Sequence, residues 1–165
     1  MTASRVADVM AKTKSGYSAS RANYMAQLIC ERLTGTQGDS FQSAAMAWGT
    51  EQEPYAREAY EQAKSEFVIE TGFHDHPSIK MSGASPDGMV GEEGLIEIKC
   101  PSSTTHVSYI SDGKVPSKYK KQMMWQLACT GRKWVDFVSY DPRLPDNLQL
   151  FVVRYTPEPD EIKAL

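Results

Sequence analysis

Apolar residues recur at intervals of three and four through the first third of the chain, and this spacing predicts helices. The clearest helix lies between Ser18 or Ser20, either of which can open it, and Gly35, which can end it. A shorter helix is predicted within residues 2–10. The apolar stripe of the longer helix consists of Ala22, Met25, Ala26, Ile29 and Leu33.

A third helical pattern covers residues 43–64 and contains a proline, Pro54. Proline lacks an N–H, and its ring clashes with the preceding turn, so we expect a kink or a new helix at this point. The kink would fall beside Glu53.

Strand patterns begin in the middle of the chain and return at its end. The expected strands cover residues 67–71, 79–82, the two arms of a hairpin around Glu92 with 95–100 as its second arm, 134–140 and 148–155. Between them lie helices near 103–111 and 118–129, the second opened by Pro116 and ended by Gly131. This order of elements predicts an α/β or α+β fold with a mixed central sheet flanked by helices.

The composition indicates one domain over residues 1–165. The apolar content of 41% is enough for one full core, and no repeat or Pro/Gly/Ser linker divides the chain. No apolar run approaches a membrane span, and no secretory pattern opens the chain, so we expect a cytoplasmic protein. Cys30, Cys100 and Cys129 are scattered and odd in number, which predicts reduced thiols rather than disulfides, a zinc site or an iron-sulfur cluster.

The net charge of −3 conceals an uneven distribution. Residues 31–97 hold thirteen Asp and Glu against four Lys and Arg. The segment 114–133 has no acid, and such a basic strip can attract a phosphate backbone. A solvated helix face explains it equally well. Its basic residues are Lys114, Lys118, Lys120, Lys121, Arg132 and Lys133.

The hairpin carries the candidate chemistry. If its turn is centred on Glu92, Asp87 and Glu97 lie opposite each other, with Cβ atoms roughly 5 Å apart. Two carboxylates at that distance repel unless a cation lies between them, and oxygen ligands suit Mg²⁺ or Mn²⁺. Alternation along the strand places Lys99 on the face of Glu97.

Each part of this pattern also has an ordinary explanation. Ser-Pro-Asp-Gly is a common turn sequence, and Glu-x-Lys is common on exposed strands. Here, however, the strand with Ile96 and Ile98 on one face must bury the charges of Glu97 and Lys99 on the other, and buried charge needs a partner or a function. We interpret the hairpin as a metal site for phosphodiester hydrolysis, with Lys99 orienting the attacking water and offsetting charge in the transition state.

Other suggestive residues have structural explanations. His74 and His76 alternate on a predicted loop, which is not a supported zinc geometry. Trp48 and Trp125 occupy helical positions and are expected to pack in the core rather than stack on bases.

Several motifs together carry a family resemblance. The chain resembles the phage lambda-type exonucleases, the viral recombinase branch of the PD-(D/E)xK nuclease superfamily, over nearly its whole length. The order and spacing of the motifs make the resemblance specific, although no single motif suffices. The matching segments are Thr2-Ala3-Ser4, residues 47–53, residues 85–88, residues 95–101, Tyr119-Lys120-Lys121-Gln122 and Tyr140-Asp141-Pro142-Arg143.

The resemblance implies a restriction-endonuclease-like core and a Mg²⁺-dependent exonuclease, with Mn²⁺ as a substitute and one or two ions per site. Such an enzyme degrades one strand of duplex DNA from its 5′ end and leaves 3′ single-stranded DNA in a phage or prophage recombination system. By motif match, Lys99 is the catalytic lysine and Gln122 the glutamine of the following helix. The implied metal ligands are Asp87, Glu97, the Ile98 carbonyl and Glu53, with Glu53 near the second metal.

The resemblance also implies partners. Ser4 and Ser85 match positions that contact a terminal 5′-phosphate. The lysines Lys114, Lys118 and Lys121 are candidates for contact with the DNA backbone because they lie in the basic strip, not because of the resemblance. Double-stranded DNA ends, a single-strand annealing protein and assembly as a homotrimer are expected. Relatives carry a basic residue upstream of the motif at Thr2, so the resemblance does not extend to 5′-phosphate preference or to processivity.

Two alternatives compete with this hypothesis. A structure-specific or restriction-type endonuclease could use the same core, and only an endonuclease would cut closed circular DNA. A catalytically idle DNA-binding module is the alternative from another class, and it need not bind metal.

Overall fold

The computed structural model describes residues 1–36, 43–163 and 165. Its helices are α1 (Val6–Met10), α2 (Ala19–Thr34), α3 (Ala44–Lys64), α4 (Ser103–Asp112), α5 (Ser117–Thr130) and α6 (Pro159–Lys163). Its strands are β1 (Lys12–Thr13), β2 (Gly16–Tyr17), β3 (Val68–Ile69), β4 (His74–Asp75), β5 (Gly83–Ala84), β6 (Gly88–Val90), β7 (Gly94–Lys99), β8 (Trp134–Tyr140) and β9 (Leu150–Tyr155). Short 3₁₀ helices cover Ala3–Arg5 and Asp146–Leu148.

A five-stranded mixed sheet forms the centre of the fold, with strand order β3-β6-β7-β8-β9. The pairing of β7 with β8 is parallel, and the other pairings in this sheet are antiparallel. The strands β1 and β2, and likewise β4 and β5, form separate two-stranded sheets. The mixed sheet with flanking helices confirms the predicted fold class.

The alternation of side chains along β7 divides the core into two layers. Ile96 and Ile98 pack with Ala56 and Tyr60 of α3 on one face of the sheet. Leu95 packs on the opposite face in a second cluster. The residues of α5 in that second cluster include Met123 and Leu127. The sequence predicted that this strand buries a charged residue, and Glu97 is indeed fully buried in it.

The helix ends follow the local sequence signals. Gly35 and Gly131 end α2 and α5 in the left-handed conformation, with φ of 69° and 71°, which glycine adopts without a steric penalty. The side chain of Ser43 caps α3 by accepting a hydrogen bond from the Met46 N–H at 3.2 Å.

One prediction in the middle of the chain is wrong, and one of the two alternatives predicted at Pro54 is excluded. Residues 79–82 form a turn rather than a strand, and the pairing is made by the neighbouring strands β4 and β5. Of the two histidines predicted to lie in a loop, His74 is therefore in β4, and His76 lies just outside that strand. Helix α3 also continues through Pro54, so no new helix starts there, and the turns after the proline are held against the sheet by Ala56 and Tyr60.

Smaller differences occur near both ends of the chain. The helix predicted within residues 2–10 consists of a 3₁₀ turn followed by α1. The last strand begins at Leu150 rather than at Leu148, since the preceding residues form a 3₁₀ helix. Among residues 1–36, 43–163 and 165, no helix has the length and apolar character that crossing a membrane requires.

Candidate active site

The hairpin of β6 and β7 has the register that its sequence symmetry predicts. Gly88 pairs with Ile96 and Met89 pairs with Leu95. The next position along the same register places Asp87 opposite Glu97. The two acids are therefore brought together by backbone pairing, as opposed positions of one hairpin.

Glu97 has no exposed surface and is held by donors from two directions. Gln122 donates from Nε2 to Oε1 at 2.6 Å, and Gln126 donates from Nε2 to Oε2 at 2.6 Å. Lys99 forms an ion pair with Oε1. Each carboxylate oxygen of Glu97 thus has at least one donor, which compensates for the burial of its charge.

Asp87 lies in a less favourable environment for a carboxylate. Burial and then the neighbouring charge of Glu97 raise the pKa of Asp87 to about 7. Lys99 and a 2.6 Å hydrogen bond from the Ile98 N–H to Oδ2 act in the opposite direction and do not overcome this rise in pKa. A cation beside the two acids would favour the ionised carboxylate and lower the pKa of Asp87.

Lys99 is a partly exposed cation beside the two acids. Its side chain is 27% exposed, and its Nζ lies 5.4 Å from the centre of the Tyr119 ring. Burial lowers the pKa of Lys99, but the carboxylates of Glu97 and Asp87 outweigh it, so the pKa is raised overall. The lysine is therefore a stable cation.

A cleft of about 370 Å³ opens beside these groups. Asp87, Lys99 and Ile98 line it, and Glu53 faces it from helix α3. Glu97 is buried and is joined to the cleft by its ion pair with Lys99. The structure thus brings four of the predicted acidic and basic residues of the site to one place.

Glu53 is fixed by a basic neighbour that sequence reasoning did not identify. Arg57, one helical turn later, donates to Glu53 at 3.0 Å and to Glu70 at 2.6 Å. The exposed fraction of the Arg57 side chain is 14%, against 37% for Glu53. The spacing of four residues was the available sequence signal.

Gln126 was also missed by the sequence reasoning, although it contacts Glu97 as closely as Gln122 does. It lies four residues after Gln122 and therefore on the same face of α5. The repeat of two glutamines at this spacing was the signal.

The donor set suits a hard divalent cation. Asp87, Glu97 and Glu53 offer carboxylate oxygens, and the acid pair of the hairpin carries mutual repulsion that a cation would relieve. In the described part of the chain, no three His, Cys, Asp or Glu side chains are already gathered as a metal-binding group. A bound ion would therefore have to draw Glu53 together with the hairpin acids.

The two predicted phosphate-binding serines are both exposed. Ser4 lies in the N-terminal 3₁₀ turn, with its Oγ 3.4 Å from that of Thr2. Thr2 forms a parallel bridge with Gly83, two residues before Ser85. The N-terminal segment consequently runs beside the segment that leads to Ser85.

Two acids of the site line the cleft, whereas the lysines of the basic strip lie mostly away from it. Lys114 and Lys118 line a separate pocket with Tyr109, and the Nζ of Lys118 lies 4.8 Å from the Tyr119 ring. Lys121 is half-buried on α5. Tyr119 is the residue that links this strip to the cleft.

The two histidines of the middle segment serve local structure. His74 shares a 2.6 Å hydrogen bond with Thr71, and His76 accepts from the N–H groups of Ser78 and Ile79. The His76 ring also stacks on Trp125, with centroids 4.6 Å apart. Trp125 is buried, as expected for a core residue.

The chain is similar to several known proteins. Residues 1–133 match the YqaJ-like viral recombinase domain. An alkaline exonuclease from Laribacter hongkongensis, LHK-Exo, has 56% sequence identity and a TM-score of 0.89, over 99% of this chain and 82% of that one. LHK-Exo in complex with dAMP has 57% identity and a TM-score of 0.90, over 99% and 80%. A phage related exonuclease from Haemophilus somnus 129PT shares the fold at 12% identity, with a TM-score of 0.73 over 99% and 86%. No curated protein matches the chain.

The mixed sheet and the grouping of Asp87, Glu97 and Lys99 define the PD-(D/E)xK class of nuclease folds. Within this class, the chain belongs to the YqaJ-like viral recombinase family. The resemblance to lambda-type exonucleases that the motifs indicated is thereby confirmed.

Proposed function

We propose that the chain is a Mg²⁺-dependent exonuclease that degrades one strand of duplex DNA from its 5′ end. Membership in the YqaJ-like viral recombinase family and the 56% identity to an alkaline exonuclease support a DNA exonuclease of the phage recombination type. The observation that carries the metal dependence is the opposition of Asp87 and Glu97 beside Lys99 at an open cleft.

The residues of the site have separate roles in hydrolysis. Asp87, Glu97, the Ile98 carbonyl and Glu53 would hold one or two ions. When bound there, Mg²⁺ or Mn²⁺ would make hydroxide available near neutral pH and would offset the charge that develops on phosphorus. The ammonium of Lys99 orients the attacking water and stabilises the same developing charge. Gln122 keeps Glu97 in place.

The direction of digestion rests on the exposed serines. Ser4 and Ser85 would bind the terminal 5′-phosphate, which would leave the opposite strand as a 3′ single-stranded end. Lys114, Lys118 and Lys121 would contact the backbone of the duplex through charge alone.

The central experiment compares Asp87→Asn with wild-type protein on linear duplex DNA in Mg²⁺ and in chelator. We expect the substitution to lower the digestion rate by more than about 100-fold, because it removes a metal ligand. Glu92→Gln is the matched control, since Glu92 is an exposed acid of the same hairpin. It should digest DNA within about twofold of wild type, and an unchanged rate for Asp87→Asn would refute the proposal.

The DNA substrate separates the competing functions. Duplexes labelled at the 5′ or the 3′ end, with a 5′-phosphate or a 5′-hydroxyl, report the direction and the role of the serines. Digestion of covalently closed circles would indicate an endonuclease. Absence of both digestion and Mn²⁺ binding in calorimetry would indicate an idle module.

We further propose that the chain acts as a homotrimer and supplies its 3′ single strands to an annealing protein, as the family resemblance implies. The exposed apolar face of α2, which includes Met25, Ile29 and Leu33, provides surface for such contacts. Sedimentation equilibrium of the purified chain measures the assembly. A purely monomeric species at micromolar concentration would contradict it.

A further inference from the structure

The strongest contact to Glu97 that the family motifs do not explain comes from Gln126. Its amide is fully buried, and its Nε2 donates to Glu97 Oε2 at 2.6 Å. Gln122 and Lys99 both act on the other oxygen, Oε1. Gln126 is therefore the side-chain donor that the structure gives to Oε2.

We propose that Gln126 is a positioning residue that fixes the carboxylate of Glu97 for metal binding. This inference rests on the proposed function, because Glu97 is a metal ligand only if the protein is a metal-dependent nuclease. Gln126 itself touches neither the cleft nor the reacting atoms, and it acts through Glu97.

The orientation of the Gln126 amide supports this role. Its Oε1 is buried and has no hydrogen-bond partner. An unsatisfied buried carbonyl is unfavourable, so the amide would not adopt this position without compensation. The reverse orientation would bring the amide oxygen against the Glu97 carboxylate, where two acceptors would repel. The contact with Glu97 therefore determines which way the amide points.

The surroundings of Gln126 make it a firmer support than Gln122. Its neighbours Trp125 and Leu127 are buried, so this part of α5 is held by the core. Gln122 is only half-buried and lies one turn earlier, nearer the start of the helix. Solvent can replace a donor at the position of Gln122 more easily than at the position of Gln126.

Loss of the Gln126 donor would change Glu97 in a predictable way. Oε2 would be left buried without a side-chain donor, and a buried carboxylate in that state rotates towards another donor. That rotation would turn away the oxygen lone pairs that a cation requires. Partners of this kind are typically worth 10- to 100-fold in metal affinity or activity.

The test uses Gln126→Met, which keeps the length of the side chain and removes the donor. Calorimetric titration with Mn²⁺ should show an affinity about 10- to 100-fold weaker than that of the wild type. On linear duplex DNA in Mn²⁺, kcat should fall by a similar factor while KM for DNA stays within about twofold. A change confined to metal affinity and kcat is not expected from a general loss of packing.

Leu127→Val is the matched control for packing, because Leu127 is the next residue of α5, is equally buried and does not contact Glu97 through hydrogen bonds. It should bind Mn²⁺ like the wild type even if its melting temperature falls. If Gln126→Met does not fold, Gln126→Asn replaces it, since the shorter amide cannot reach Glu97 in the same geometry.

The outcomes are distinct. Wild-type Mn²⁺ affinity and kcat in the folded Gln126 variant, together with active wild-type protein, would overturn the positioning role and leave the nuclease proposal intact. Equal weakening of Mn²⁺ binding in Leu127→Val would also overturn it, because packing alone would then explain the loss. A wild-type protein that neither binds Mn²⁺ nor digests DNA would remove the proposed function and this inference with it.

Discussion

Asp87 is an acid whose ionised form is disfavoured both by burial and by the neighbouring charge of Glu97. Its carboxyl group lies in the cleft beside the buried charge of Glu97, and its pKa is raised from 3.8 to about 7. In the absence of metal, the native state therefore holds a proton on Asp87 that the unfolded chain releases near pH 4.

The pH dependence of stability follows from this difference. Between about pH 4 and pH 7, the native state binds more protons than the unfolded state, so the free energy of unfolding falls as the pH rises. The loss is at most about 4 kcal/mol, at 1.36 kcal/mol per pKa unit. Thermal unfolding in chelator from pH 4 to pH 8 measures it.

Asp87→Asn is the control for this pH effect, since the amide does not titrate. It should remove most of the slope between pH 4 and pH 7. Excess Mn²⁺ should remove the slope in the wild type as well, because the cation favours the ionised carboxylate. A slope that is identical in wild type and variant would show that other groups cause it.

At the scale of elements, the hairpin that carries both acids is secured at its turn by Arg132. The Nη1 of Arg132 donates to the carbonyls of Gly91 and Gly94 at 2.8 Å and to that of Val90 at 3.3 Å. The guanidinium thus joins the end of α5 to the turn between β6 and β7. The opposite end of the hairpin forms the candidate active site.

Replacing Arg132 with methionine should lower the free energy of unfolding by about 2–3 kcal/mol, because three carbonyls lose a charged donor. Lys133→Met is the neighbouring control. Lys133 pairs with Glu93 on the surface, where both side chains are more than half exposed, and such a pair is worth less than about 1 kcal/mol. Urea unfolding compares the two variants, and equal losses would contradict the role given to Arg132.

At the scale of the whole molecule, a polar cluster centred on the buried carboxylate of Asp136 joins one helix to the sheet. Asp136 of β8 accepts from Tyr60 of α3 at 2.8 Å and from Arg154 of β9 at 2.8 and 2.9 Å. Arg154 also lies over the Trp134 ring at 3.5 Å. The cluster fixes α3, and therefore Glu53, relative to the strands that carry the other acids.

Arg154→Met should cost about 2 kcal/mol of unfolding free energy, since the buried carboxylate of Asp136 loses two charged hydrogen bonds, although water can partly replace the half-exposed guanidinium. Tyr60→Phe removes a single neutral donor and should cost about 1 kcal/mol. Denaturant unfolding of both variants checks the order. A larger loss in Tyr60→Phe would mean that the ion pair contributes little to the stability of this cluster.

The parts of the fold that were predicted correctly depend on neighbouring residues in the chain. The register of Asp87 and Glu97 follows from the symmetry of one hairpin, and Gly35 and Gly131 end their helices through their own backbone freedom. No new helix starts at Pro54, for a related reason. The local preference of proline was outweighed by the packing of the following turns on the sheet.

The amino-acid sequence alone determined which residues form the hairpin and which acids lie opposite each other. It also determined that a helix between Pro116 and Gly131 follows the hairpin. The tertiary structure decided what surrounds them. The apolar stripe of α2 correctly predicted a helix, yet Leu33 in that stripe is 82% exposed. Gln126 lies in the lysine-rich helix α5 and is nevertheless fully buried against Glu97. Periodicity specifies a face of a helix, but only the packing of that helix on a particular sheet face determines which side chains lose water and meet a charge.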